Sequence, residues 1–206
     1  MLAQKMDSAP TVATSDAPVK KVAAEMGTFV DARDGTEYKT CKIGKQEWLA
    51  ENLKFELNSK DCVAYDDDYQ YFDKYGYLYT KKGVEKAIPE GWHVPTKQEW
   101  ETMIRFAKKD CRCKDVLSVI ASDEWVKSSS DKYGFSMVPG GMGDGHDYFD
   151  LIDFSAHFWY VDSFNNPLSH DKFYGCVRFE EDTDEEVDYE DDEPTYASVR
   201  LVKDAG

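Results

Sequence analysis

Four aspartates recur at every third position, Asp144, Asp147, Asp150 and Asp153, in a segment that opens with Gly140-Gly141-Met142-Gly143-Asp144-Gly145. Carboxylate oxygens on a glycine-rich loop are the hard ligands that calcium takes. Asp144, Asp147 and Asp150 are the candidate metal ligands on that reading, and Ca2+ is the candidate ion. The spacing does not match an EF-hand, and aspartates in turns serve equally well as local acceptors for backbone N–H groups. Both readings stand on these residues. Asp66-Asp67-Asp68 forms a second acidic candidate beside Tyr65 and Tyr69. Downstream, Trp159 and Tyr160 offer rings on which a ligand could stack, so the ligand-binding candidates are Asp144, Asp147, Trp159 and Tyr160, with the aspartates supplying oxygen for a cation or for sugar hydroxyls.

No residue set specifies catalysis. A nucleophile with its base, or two carboxylates that divide acid and base work, would be needed, and the acidic surplus lets no one pair be singled out. Glu99 is explained by helix capping, and His93 beside Trp92 reads as a structural histidine. Trp92 and Trp100 read as core rings. The five cysteines, Cys41, Cys62, Cys111, Cys113 and Cys176, cannot all pair within the chain. Either all are reduced or one disulfide forms. Cys111-Arg112-Cys113 lacks zinc spacing, and no further Cys or His pair completes four ligands.

The elements that carry these residues belong to a chain of 206 residues with formal net charge −16 and 14% aromatic residues. That length buries one sizeable core. The charge repels a phosphate backbone and anionic membrane surfaces, which argues against nucleic acid as a partner, and it concentrates cations. No apolar run is long enough to span a bilayer. The opening residues carry no secretory signal, so the expected compartment is extracellular or cell-surface if a signal was removed, and cytoplasmic otherwise.

Residues 1–27 are rich in Ala, Ser, Thr, Pro, Asp and Lys and lack Trp, Tyr and Phe, the composition of a disordered tail or linker. Residues 28–206 then read as one domain. Asp34-Gly35 between Thr28-Phe29-Val30-Asp31 and Tyr38-Lys39-Thr40-Cys41-Lys42-Ile43 predicts a hairpin. Residues 44–53 lean to strand over short helix, residues 61–79 to a loop with a short element, and residues 80–87 to a helix that stops before Pro89. The clearest helix follows Pro95: Thr96 caps it, Glu99 completes a capping box, and Trp100, Met103, Ile104 and Ala107 form its apolar stripe. A short helix is expected within residues 114–121, a strand over 133–139, irregular backbone over 140–145, and strands over 155–161, 173–179 and 198–202. Eleven of the fourteen residues 180–193 are Asp or Glu with no Lys or Arg, which predicts an exposed acidic loop insertion.

Three stretches resemble one family: Gly44-Lys45-Gln46-Glu47-Trp48-Leu49-Ala50-Glu51-Asn52-Leu53, then Pro89-Glu90-Gly91-Trp92-His93-Val94-Pro95-Thr96-Lys97-Gln98-Glu99-Trp100, then Tyr133-Gly134-Phe135 with Pro139-Gly140-Gly141. Together with Phe158-Trp159 and Ser198-Val199-Arg200-Leu201-Val202 they resemble the Fibrobacter succinogenes major paralogous domain. Of these, the Trp92-to-Trp100 core with Val94-Pro95-Thr96 and Glu99, and the terminal Val199-Arg200-Leu201-Val202, also look like formylglycine-generating and sulfatase-modifying domains. The resemblance implies an α+β fold of the C-type-lectin-like kind, with twisted antiparallel sheets, about two helices and long irregular loops. It also implies bacterial secreted or lipid-anchored surface proteins. Ile88 and Leu201 stand where the family often has cysteine. The expected function is noncatalytic recognition of a carbohydrate or protein partner at the 140–153 loop and the Trp159 strand. An enzyme of unknown type on a formylglycine-generating-enzyme-like scaffold is the alternative, although Cys176 alone does not supply the cysteines that activity uses.

Overall fold

The Asp34-Gly35 signal makes the turn it predicts: β1 (Met26–Val30) and β2 (Glu37–Ile43) pair antiparallel with Val30 opposite Glu37. This is a computed structural model, and it describes residues 24–144, 148–163, 172–181, 187–190 and 194–204. The first strand therefore begins two residues before the expected domain start, and residues 1–23 of the expected tail lie outside the described residues. The strand reading of residues 44–53 holds as β3 (Gln46–Leu49), and β11 (Val202–Asp204) closes the sheet in the order β1-β2-β3-β11. Met26, Cys41, Trp48 and Val202 lie in one row across it.

Between these strands the aromatic segment forms β4 (Cys62–Val63), two 3-10 turns (Tyr65–Asp67 and Tyr69–Tyr71), α1 (Phe72–Tyr75) and β5 (Leu78–Tyr79), which pairs with β4. Next come α2 (Lys81–Ala87), α3 (Lys97–Cys111) and α4 (Leu117–Ile120). The capping box of α3 is present in both directions: Glu99 N–H donates to Thr96 Oγ1 at 3.1 Å, and Thr96 N–H donates to Glu99 Oε2 at 2.7 Å. Trp100, Met103 and Ala107 of its stripe are fully buried.

A second sheet has the order β10-β9-β8-β6-β7, from β6 (Gly140–Gly143), β7 (Phe149–Ile152), β8 (Ser155–Ser163), β9 (Lys172–Glu180) and β10 (Val187–Glu190). Its central pair, β8 and β9, is covered on both faces. Ala156, Phe158, Tyr160, Val177 and Phe179 join Trp48, Trp100 and Met103 in one core, while Trp159, Tyr174 and Cys176 join Tyr38, Leu49, Tyr79 and Trp92 in another. The α+β class holds, and no helix among the described residues is long and apolar enough to cross a membrane.

Four local expectations are corrected. Residues 133–139 are not a strand, because Gly134 and Ser136 take left-handed backbone at φ 68 and 50, and only Met137 makes a bridge, to Ala121. Residues 140–143, expected to be irregular, form β6. Gly141 makes this possible: at φ 64, a Cβ there would sit 2.3 Å from the Asp150 carbonyl, so the absence of a side chain is what lets β6 and β7 close up. The acidic insertion contains β10, in which Val187 and Tyr189 pack against the first core and Asp188 pairs with Arg178 at 3.3 Å; alternation won over charge. The final strand is Val202–Asp204, and Tyr196, Ala197 and Ser198 make isolated bridges instead.

Arg200 explains the bend at residues 133–136. It is fully buried and donates to Asn52 Oδ1 (2.7 Å) and to the carbonyls of Leu49 (3.1 Å), Phe135 (2.6 Å) and Ser136 (3.0 Å). Burial pulls its pKa down to about 10. Asn52 in turn donates to the Tyr75 carbonyl at 2.9 Å. One guanidinium thus ties the Trp48-Leu49-Ala50-Glu51-Asn52 stretch, the Tyr133-Gly134-Phe135 stretch and the C-terminal motif together, because five fixed donors suit a site ringed by carbonyls.

Candidate functional site

The structure separates the residues expected to act together. Trp159 is fully buried, with its indole Nε1–H donating to the Tyr79 carbonyl at 2.7 Å. Tyr160 is 2% exposed and packs edge-on to Tyr189 at 5.6 Å between ring centroids. Neither offers a stacking surface. Both sit on a central strand buried on its two faces, where a continuous apolar run such as Phe158-Trp159-Tyr160-Val161 belongs.

The aspartates also divide. Asp144 is exposed and accepts from Thr195 Oγ1 at 3.2 Å. Asp150 accepts from the Leu151 N–H at 2.7 Å and from the Tyr148 hydroxyl at 3.0 Å. Asp153 accepts from the Tyr75 hydroxyl, and burial together with that carboxylate raises the Tyr75 pKa. Asp147 lies outside the described residues. Among the described residues no three Asp, Glu, His or Cys side chains gather as a metal site would require. In the second acidic candidate, Asp68 caps the following turn by accepting from Gln70 N–H at 2.9 Å, and Asp66 stands exposed in left-handed backbone.

A different set of rings converges on the same loop. Tyr65 meets Phe149 at a tilt at 5.4 Å and Tyr71 edge-on at 5.6 Å, and Tyr71 meets Tyr75 at 6.4 Å. This cluster joins the two 3-10 turns to the β6–β7 hairpin. On the two segments it joins, Tyr69 (63%), Tyr148 (57%) and Phe154 (71%) are the most exposed large apolar side chains among the described residues. Among the described residues, three of the six non-glycine positions with positive φ fall here as well: Asp66, Leu151 and Asp153. Leucine pays a steric penalty in that conformation; the Asp150 carboxylate holds the Leu151 N–H, and Phe154 N–H closes the turn on the Leu151 carbonyl at 3.1 Å. Phe154 stands at the start of β8: Ala156 lies beside Gly141, while Val161, five residues on, lies beside Thr96 at the start of α3. The strand rise sets these about 17 Å apart.

Chemically, the face offers flat apolar rings beside carboxylate acceptors, a combination that receives the C–H face and the hydroxyls of a sugar, or a polar peptide. The acid–base pairs elsewhere have structural explanations. His93 Nε2 and Glu99 Oε1 are 2.7 Å apart; Glu99 raises the His93 pKa, and in Glu99 the His93 and Thr96 hydrogen bonds outweigh burial and lower it. Ser155 and His157 lie 3.4 Å apart but are each 1% exposed. The sequence missed Tyr69 and Phe154; their signal was an aromatic segment without period and a ring placed directly after a turn aspartate.

The architecture and the motif-built hub define an α+β domain assembled around one buried arginine. The chain belongs to the Fibrobacter succinogenes major domain family, whose sequence model matches residues 41–203. No curated protein and no solved structure matches it. The motif stretches build the scaffold through Trp48, Asn52, Thr96, Glu99, Trp100, Phe135 and Arg200, whereas the exposed face draws on residues between them.

Proposed function

We propose that this chain is a noncatalytic binding domain of C-type-lectin-like fold that recognises a carbohydrate outside the cell or at its surface, through Tyr69, Tyr148 and Phe154 with Asp150 and Asp153. The observation that carries the reading is that the most exposed rings and three left-handed non-glycine residues fall on the 3-10 turns and on β7 and the segments flanking it, since solvent-facing aromatics and locally strained backbone both tend to gather where a surface is used. The lectin-like assignment is supported by antiparallel sheets, few helices, long irregular segments, and first and last strands in one sheet. Calcium assistance, expected from the spacing of the aspartates, requires Asp147 to join Asp144 and Asp150; the form argued here needs no cation, because Asp144, Asp150 and Asp153 each already accept a separate internal hydrogen bond.

A glycan array probed with the full chain, followed by calorimetry on the best glycan, tests this. Y148A/F154A should weaken binding at least about tenfold, as the loss of central ring contacts does, with an unchanged melting temperature and no effect of EDTA. Capture of protein ligands alone would move the reading to a protein partner. Turnover in a broad hydrolase screen without saturable glycan binding would overturn it in favour of the enzyme alternative.

A further inference from the structure

Cys111 and Cys113 form the one disulfide among the described residues, across a single intervening residue, while Cys41, Cys62 and Cys176 are buried and take no part in it. A crosslink of so short a span removes little freedom from the unfolded chain, because that contribution grows with the length of the loop closed. The pair ends α3 at the surface: both cysteines are half-buried, and Arg112 between them is exposed in left-handed backbone at φ 56. Fold stability does not account for a bond of this kind, whereas exposed disulfides are the exchangeable ones.

The charge around it is the reverse of the molecule's. Residues 105–115 hold Arg105, Lys108, Lys109, Arg112 and Lys114 against Asp110 and Asp115, five cations to two anions, on a chain of net charge −16. Asp110 is itself engaged by Lys132 at 2.6 Å and by the Tyr133 hydroxyl at 2.7 Å. The carbonyl end of α3 opposes a thiolate here, and the five cations offset it.

We propose that Cys111–Cys113 is a thiol–disulfide exchange site whose substrates are dithiols flanked by acidic residues. A substrate thiolate attacks one sulfur of the pair, the S–S bond breaks, a mixed disulfide forms, and the other cysteine leaves as thiolate and takes a proton from water. The second substrate thiol loses its proton and attacks the substrate sulfur of the mixed disulfide. The substrate leaves oxidised by two electrons, and Cys111 and Cys113 are left as two thiols; a small-molecule disulfide such as oxidised glutathione restores them.

The test is single-turnover reduction of the full oxidised chain by two dithiol peptides of equal length, one flanked by Asp and Glu and one by Lys, read by alkylation and mass spectrometry at Cys111 and Cys113. The acidic peptide should react at least about tenfold faster at low salt, an electrostatic advantage that shrinks at about 0.5 M salt. K108E/K109E/K114E should invert the preference, and C111S/C113S should take no electrons while melting within a few degrees of wild type. Equal rates for the two peptides overturn the substrate class, and absence of exchange overturns the site. A melting loss beyond about 10 °C in C111S/C113S, equivalent to more than a marginal crosslink, assigns the bond to the fold and overturns the proposal.

Discussion

At the scale of single residues, Trp100 is the test of the core. Its ring is fully buried and meets Trp48 at 4.7 Å, Phe158 at 5.6 Å and Phe179 at 5.4 Å. Trp100→Ala should cost about 3–5 kcal/mol in chemical denaturation, and Thr96→Ala about 1 kcal/mol through the lost cap; a loss below about 1 kcal/mol for Trp100→Ala contradicts this packing. His157 supplies a pH dependence. Burial, then the nearby Arg178 charge, lowers its pKa from 6.5 to about 4, so between those values the unfolded chain binds more protons than the folded one. Its stabilising effect is complete above pH 6.5 and is lost as the pH falls toward about 4, on the order of 3 kcal/mol in all. His93 has the opposite sign, its raised pKa giving stability that is lost as pH rises. Urea unfolding at pH 7 and pH 5 should therefore show a loss that H157Q removes. The aspartates and the stacking rings were the least legible residues in the sequence, because spacing gives no direction to a carboxylate and an apolar run does not say which faces of its strand are covered.

At the scale of elements, legibility followed the strength of local chemistry. The hairpin at Asp34-Gly35 and the capped helix after Thr96 were readable because a turn dipeptide and a capping box act within a few residues. Strand β6 was not, since glycines carry no pattern and its pairing depends on the distant Asp150 backbone. Nor was the irregular run at residues 133–136, whose carbonyls point at an arginine more than sixty positions away. Strand β10 was legible in the Val187 and Tyr189 alternation and was hidden by its charge. Gly141→Ala tests the β6–β7 approach: the added methyl meets the Asp150 carbonyl, and its φ is left-handed. A loss of about 2–4 kcal/mol is expected, with glycan binding lost in parallel; an unperturbed variant would mean the two strands do not close as described.

At the scale of the whole molecule, a net charge of −16 repels itself and opposes compaction. Raising salt from about 0.05 to about 0.5 M shortens the screening length severalfold and should raise the melting temperature by a few degrees; a flat response would mean that the ion pairs have already balanced the field. Two cores on opposite faces of β8 and β9 make those strands common to everything buried, so the domain should lose both in one transition. The row Met26, Cys41, Trp48 and Val202 has a mechanical consequence. Three strand spacings separate its ends, about 14 Å, and a line drawn between them runs across the strands. Tension applied at Met26 and Val202 would load the ladder bonds of β1 and β11 one after another, as a zip is opened, instead of shearing them together. A domain that resists heat through two buried cores would therefore yield to a weak pull at its first and last strands.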